Sequence, residues 1–394
     1  TPYEPATTEP TSAPPEISPT GAPTEVPTEP PPQGWLPDGA FALYAAGPWD
    51  GRQLYALAPG ATTTDLGRAI SFESALSHTG RWIAHADRPA PATAVVVANL
   101  ANDTSYTIPL TPDYTIYGMA FDRAERRLAF MELGGSGSGS YTWAVVVVNL
   151  ADGATARFEA SFTLPDEEGA MLPGRPIGWA GGGSELLLDT FMPDTEGNWA
   201  GVWTIALPPA APSAALDTLD ARLLVPAGDY LTPPHLSPDG TKLLYLNRDY
   251  DYTPDGYQPM AYDLAVNQLW SIDIASGAST MLVEATDGSA LARDATWSMD
   301  SSQVLFAQGN YVAGSDTFAA LTLKTKDGAV SDVGAAPLPP DGGLSTIDWC
   351  RPGLALVTVT TSDYDHQLHT VALGGGASTL VDSARSISVL GCVR

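Results

Sequence analysis

Pro234-His235-Leu236-Ser237-Pro238-Asp239-Gly240-Thr241-Lys242-Leu243-Leu244-Tyr245-Leu246 is the clearest copy of a unit that recurs along the chain. It reads as a short strand, a tight turn and an apolar strand. Proline presets φ, aspartate bonds back to its own backbone, and glycine accepts positive φ. Looser copies are Ala295-Thr296-Trp297-Ser298-Met299-Asp300, Gly118-Met119-Ala120-Phe121-Asp122 and Leu76-Ser77-His78-Thr79-Gly80. Ile177-Gly178-Trp179-Ala180 and Ile347-Asp348-Trp349-Cys350 keep only the strand.

Each copy leads into two apolar strands joined by a polar loop. The pairs are Phe41–Ala46 with Gln53–Pro59, Trp82–Ala86 with Ala94–Leu100, and Leu128–Leu133 with Trp143–Leu150. Next come Leu186–Phe191 with Gly201–Leu207 and Leu243–Asn247 with Gln268–Ile274. Val304–Gln308 with Phe318–Thr325 and Leu354–Thr360 with Gln367–Leu373 complete the series. A spacing of roughly 40 to 60 residues is that of propeller blades.

The stretch Ser237-Pro238-Asp239-Gly240-Thr241-Lys242-Leu243-Leu244-Tyr245 resembles the repeat of TolB-type, WD40-like β-propellers. The resemblance covers residues 35–394 as a repeat architecture and implies four-stranded blades around a central channel. TolB's own propeller usually has six blades, and its N-terminal α/β domain has no counterpart here, so a TolB role does not carry over. The expected fold is all-β: a seven-bladed propeller of four-stranded antiparallel blades at 35–394, behind an extended tail at 1–34. Only a turn precedes the first hairpin, so Ile387-Ser388-Val389-Leu390-Gly391-Cys392-Val393 is expected to complete the first blade, since a ring must not leave a sheet edge open. Aligning the repeats puts Cys350 and Cys392 at equivalent positions on neighbouring inner strands. A disulfide there would fasten the ring; the alternative is two buried thiols of a reducing compartment.

Residues 1–33 hold 11 Pro, 7 Thr and 5 Glu, with neither Lys nor Arg. Such a segment cannot build a core. It is either a stalk, with threonines open to O-glycosylation, or an arm that contacts a second copy through residues such as Pro2, Tyr3, Ile17 and Val26. The chain as a whole carries 45 acids against 18 bases, for a net charge of −27. That charge argues against nucleic acid and anionic lipid as partners. No apolar run approaches the roughly 18–20 residues of a membrane span. The chain begins at Thr1 without a charged, then apolar, leader, which reads as a mature exported protein at the cell surface or beyond.

Short catalytic motifs are missing: there is no Gly-x-Ser-x-Gly elbow, no phosphate-binding loop and no sialidase Asp-box. His366 and His369 are three apart in a strand, hence on opposite faces, and do not suit zinc. No cofactor is required; the one candidate is calcium at Asp249, Asp251 and Asp255, whose oxygens suit a hard cation although EF-hand spacing is not met. The alternative is a solvated hairpin tip. Tyr250, Tyr252 and Tyr257, with Trp199 from another loop, form a candidate ligand surface for a glycan or peptide. Asn102-Asp103-Thr104 is a candidate glycosylation sequon.

These features lead to the expectation of a non-catalytic exported propeller that works by protein contact and self-assembles through its tail, as a filament if the contact does not close. The alternative is a tethered propeller that binds a carbohydrate or peptide. A third reading is a lyase or hydrolase using channel-facing acids such as Asp348.

Overall fold

The computed structural model describes residues 36–393, apart from positions 72, 90, 136–139, 164–171, 192–198, 208–213, 217–218, 227–233, 250–251, 256–264 and 316. The tail, with Pro2, Tyr3, Ile17 and Val26, lies outside the described residues, as do Tyr250, Asp251 and Tyr257.

The turn quoted above forms by side-chain bonding. The Ser237 hydroxyl donates to Asp239 Oδ1 (2.6 Å) and accepts from the Lys242 amide (2.9 Å). Asp239 Oδ1 also accepts from the Thr241 amide (3.0 Å). Gly240 takes φ +74° and donates its amide to Ser237 O. The copies repeat this. Ser298 accepts from Gln303 N and donates to Asp300, and Ser77 accepts from Trp82 N. Asp122 fills the serine position and accepts from Arg127 N. The place of Gly240 is held at positive φ by Gly80, Glu125 and Ser301.

Seven such units make seven sheets. Blade 1 is Ser386–Cys392, Ala42–Gly47, Arg52–Ala58 and Thr62–Ile70. Blade 2 is Ser74–Leu76, Trp82–Ala86, Ala94–Asn99 and Thr104–Pro109. Blade 3 is Thr115–Phe121, Arg127–Gly135, Ser140–Asn149 and Thr155–Thr163, with a short fifth strand, Ala214–Ala215, parallel to its outer edge. Blade 4 is Gly174–Ala180, Glu185–Phe191, Trp199–Ala206 and Ala221–Pro226. Blade 5 is His235–Leu236, Lys242–Asn247, Gln268–Asp273 and Ser279–Glu284. Blade 6 is Ala290–Trp297, Val304–Tyr311, Phe318–Asp327 and Ala329–Ala335. Blade 7 is Gly343–Arg351, Leu354–Thr360, His366–Ala372 and Ser378–Ala384. The first strand named in each blade is the inner one.

Burial follows position in the blade. Second strands have both faces covered by neighbouring blades, so Leu128-Ala129-Phe130-Met131 is buried without alternation. Outer strands such as Thr62–Ile70 and Ala329–Ala335 are largely exposed. The apolar clusters therefore sit between blades. Phe41, Tyr44 and Leu57 of blade 1 and its approach pack on Leu356 and Leu368 of blade 7.

The C-terminal strand closes the ring as the sequence implies, pairing antiparallel from Gly47↔Ser386 to Ala42↔Cys392. Cys350 of the inner strand of blade 7 and Cys392 of the closing strand are joined by a disulfide, with Cα atoms 4.9 Å apart. The bond spans a sequence separation of 42. Replacing both cysteines by alanine is expected to cost about 4 kcal/mol by the loop-entropy relation. Urea unfolding under non-reducing conditions measures this, and the difference from the native chain should vanish once reductant is added.

Candidate functional site

The turn serine fixes the register of the repeat, and with it the residue two places earlier on each inner strand. In blades 5, 6 and 7 that position holds His235, Thr296 and Asp348; in blades 2, 3, 4 and 1 it holds Ala75, Ala120, Gly178 and Leu390. Hydrogen bonding bears out the equivalence. The Trp297 indole donates to His235 O (3.2 Å), as the Trp179 indole does to Ala120 O (3.0 Å). His235, Thr296 and Asp348 line one cavity of about 240 Å³. Ala75, Ala120, Gly178 and Leu390 line the adjoining one, of about 440 Å³. The two share Leu76, His78, Leu236 and Pro238, so they are parts of one channel with a polar arc and a small, apolar arc.

Asp294, two residues before Thr296 on the inner strand of blade 6, ties the polar arc together. Its Oδ1 is 2.9 Å from His235 Nε2 of blade 5. Its Oδ2 accepts from the Ile347 amide of blade 7, next to Asp348. Asp294 is buried, whereas the His235 side chain is 44% exposed to the lumen. Protein encloses His235 on its other sides, a setting between open solvent and dry core.

These surroundings shift both titrating groups. Burial, and then the charge of Asp294, push the Asp348 carboxyl up to about 7, against the opposing pull of His235. For His235, enclosure works to lower the pKa, but the charge and hydrogen bond of Asp294, with a smaller contribution from Asp348, leave it raised. A carboxyl with its pKa raised to about 7 and an imidazole with its pKa raised by a bonded carboxylate then face one lumen, an arrangement suited to proton transfer.

A second set of titrating groups belongs to the inner ends of blades 1, 2 and 4. Arg52 is fully buried and donates to Ser388 Oγ (2.7 Å) and Ser71 O (2.6 Å). Arg175 pairs with the buried Asp189 (2.7 Å). Glu73 accepts from the Gly118 amide (3.3 Å), and burial raises its pKa. The Arg52–Ser388 and Arg175–Asp189 bonds join strands within blades 1 and 4, and the Glu73–Gly118 bond ties the approach to blade 2 to the inner strand of blade 3.

Of the other residues singled out from the sequence, Tyr252, Asp249, Asp255 and Asn102 are not among those lining the two channel cavities. Tyr252 is half-buried and donates its hydroxyl to Ser289 O (2.7 Å), so it braces the hairpin against the start of blade 6. The Asp249 and Asp255 amides bond Asn267 Oδ1 (2.7 Å) and Gly288 O (2.8 Å), and both residues are exposed. Among the described residues no three His, Cys, Asp or Glu side chains are close enough to share a metal. Trp199 opens a strand of blade 4, and its side chain falls outside the description. Asn102 is exposed at a turn, its Oδ1 accepting from Thr104. Asp348 was legible as a channel-facing acid. His235 and Asp294 were not singled out, although comparing the residues two places before each turn serine would have set His235 apart from Ala75 and Ala120.

No family profile and no curated protein matches the sequence. Many solved structures match in fold. The oligogalacturonate lyase of Vibrio parahaemolyticus superposes with a TM-score of 0.55 at 12% identity, over 82% of this chain and 83% of that one. Acylaminoacyl peptidase of Pyrococcus horikoshii gives 0.53 at 12%, over 87% of this chain and 52% of the peptidase. The chain thus spans about half the length of that peptidase. The propeller domain of the Trilobed protease from Pyrococcus furiosus gives 0.50 at 11%, over 88% and 99%. The seven-bladed propeller of antiparallel blades expected from the repeat is the fold observed.

The expectation of a non-catalytic, self-assembling protein is corrected by this finding. Solved propellers of the same shape include a lyase and peptidases, and His235 and Asp348 line one channel cavity without belonging to any short motif. The physical reason is that a propeller collects its site one residue per blade, so no local motif records it.

Asp348 and His235 give stability a defined pH dependence. An unfolded aspartate ionises near 3.8, while folded Asp348 holds its proton to about 7. Below the unfolded value both states are protonated and the group is neutral in effect. Between the two values stability falls as pH rises, and above the folded value the loss is constant. Raised His235 acts in the same direction, its stabilisation being lost as pH rises through its folded pKa. Asp348→Asn is therefore expected to be more stable than the native chain at pH 8, with a gain that shrinks steadily towards pH 4. Urea midpoints across that range measure it; a gain independent of pH would contradict the assignment.

Proposed function

We propose that this protein is an enzyme, a lyase or hydrolase that cleaves oligosaccharides by proton transfer in the propeller channel. Asp348 acts as the general acid–base group, and His235, oriented by Asp294, is its partner. The observation that carries the reading is that His235 and Asp348, from the inner strands of blades 5 and 7, line one cavity, with Asp294 of blade 6 bonded to His235 and to the Ile347 amide beside Asp348. A structural role alone does not require two groups of variable charge facing a lumen whose equivalent positions elsewhere are Ala75, Ala120, Gly178 and Leu390. The lyase of similar fold supports the saccharide as substrate class. The cavity is below the ~300–1,000 Å³ usual for ligand pockets, which favours entry of a chain end or a single ring, with the adjoining apolar arc taking the next unit. The Cys350–Cys392 bond supports a site of action outside the reducing cytosol.

The test is turnover of a panel of neutral and uronate-containing oligosaccharides, followed by reducing ends and by the absorbance of unsaturated products. Asp348→Asn and His235→Gln are each expected to lower kcat by about 10²–10⁴-fold with the circular dichroism spectrum unchanged. The native pH–rate profile should bend near pH 7, and that limb should disappear in Asp348→Asn. No turnover across the panel, or native rates in both variants, would reject the reading.

A further inference from the structure

A second cavity of about 420 Å³ lies away from the channel, where blades 2 and 3 meet on the face that carries the Ser-x-Asp-Gly turns. Arg81 and Trp82 line it from blade 2; Glu125, Arg126 and Arg127 line it from the equivalent turn of blade 3. The following turn of that blade adds Asn149, Leu150 and Ala151. Arg123, exposed, stands in the same turn as Arg126. Three of the chain's 18 basic residues, Arg81, Arg126 and Arg127, thus line one inter-blade junction of a protein with a net charge of −27, while Arg123 lines the channel cavity.

The acids nearby are already engaged. Glu125 accepts from the Thr79 amide (2.8 Å) and hydroxyl (2.6 Å), locking the turn of blade 3 to that of blade 2. Asp122 is fully buried, accepts from the amides of Arg126 and Arg127, and lies 3.5 Å from Arg127 Nε and 3.9 Å from Arg126 Nε. Asp152, next after Ala151, turns its Oδ1 to the Ala154 amide (3.0 Å). Arg127 is further fixed by donating to Gly183 O and by lying over the Trp179 ring at 4.3 Å. The guanidinium of Arg126 remains 65% exposed. Arg81 Nε is buried and meets no acceptor among the described residues.

We infer that this crevice is an anion-binding site, distinct from the channel, for an oxyanion group carried on a ring. Arg81 and Arg126 would grip the oxyanion, since the planar fork of a guanidinium matches a carboxylate, sulfate or phosphate. Trp82 and Leu150 supply the apolar wall against which the ring lies. Long-range repulsion from the acidic body disfavours anions over most of the surface, so a local group of guanidiniums selects where one can settle. The assignment does not rest on the chemistry in the channel.

Calorimetric titration at low ionic strength tests it, using sodium sulfate, sodium phosphate and trigalacturonate as probes with sodium chloride as the control. Saturable binding of at least one probe is expected. Arg126→Gln, an exposed change that leaves the fold intact, and Arg81→Gln should each weaken it tenfold or more. Lys324→Gln, on blade 6, should leave it unaltered. Trigalacturonate alone binding would identify a carboxylate-bearing saccharide as the ligand class; sulfate or phosphate binding would identify an ester. Absence of saturable binding by all three probes, or binding that Arg126→Gln does not weaken, would overturn the proposal.

Discussion

Pairing of Ser386–Cys392 with Ala42–Gly47 joins the two ends of the propeller, and the rest of the structure depends on that seam. Each blade buries both faces of its middle strands on its neighbours. An open ring would therefore expose apolar surface twice, on blade 1 around Phe41 and Tyr44 and on blade 7 around Leu356 and Leu368. Closure removes both exposures and a free sheet edge together. The Cys350–Cys392 bond ties the closing strand to the inner strand of blade 7, so the strand that pairs with Ala42–Gly47 is held to the neighbouring blade.

Closure also sets the channel. With seven blades held in a ring, the inner strands cannot move apart independently, so residues far apart in sequence keep fixed positions across the lumen. Asp294 illustrates the consequence: its two oxygens reach His235 on one neighbouring blade and the Ile347 amide on the other. A carboxylate held from two sides needs little reorganisation when the charge on His235 or Asp348 changes, which is what preorganised electrostatics requires. At the equivalent inner-strand positions of the other blades, Ala75, Ala120, Gly178 and Leu390 leave space, while Arg123 and Asp239 add charge to the lining of that cavity. The acidic exterior has little part in this; it acts on solubility and on approach of charged ligands.

The same turn chemistry serves two ends. Ser237, Ser298 and Ser77 use it only to reverse the chain. In blade 3 the serine becomes Asp122 and the positive-φ position becomes Glu125, and three arginines surround them. Variation of a structural repeat at its solvent-facing turn thus produces a charged crevice without disturbing the strands, because the turn's backbone bonds are kept.

The strands, their order and the closing seam were determined by sequence alone, because each rests on local or periodic signals. Positive φ at Gly240, the serine hydroxyl bonded to a nearby amide, and apolar runs of strand length repeat often enough to count the blades. The pairing of Cys350 with Cys392 followed from the same periodicity. What the tertiary structure decided was which side chains meet. His235 lies 59 residues before Asp294, and Asp294 lies 54 before Asp348, and each belongs to a different sheet. Their hydrogen bonds, and the proton affinity these create, exist only once the ring has brought three inner strands around one lumen. Tyr252 shows the converse: an aromatic residue in a loop of polar character reads as a ligand surface, yet its hydroxyl is spent on Ser289 O of the adjoining blade. Burial and partner choice are properties of the closed ring, and no stretch of the chain carries them by itself.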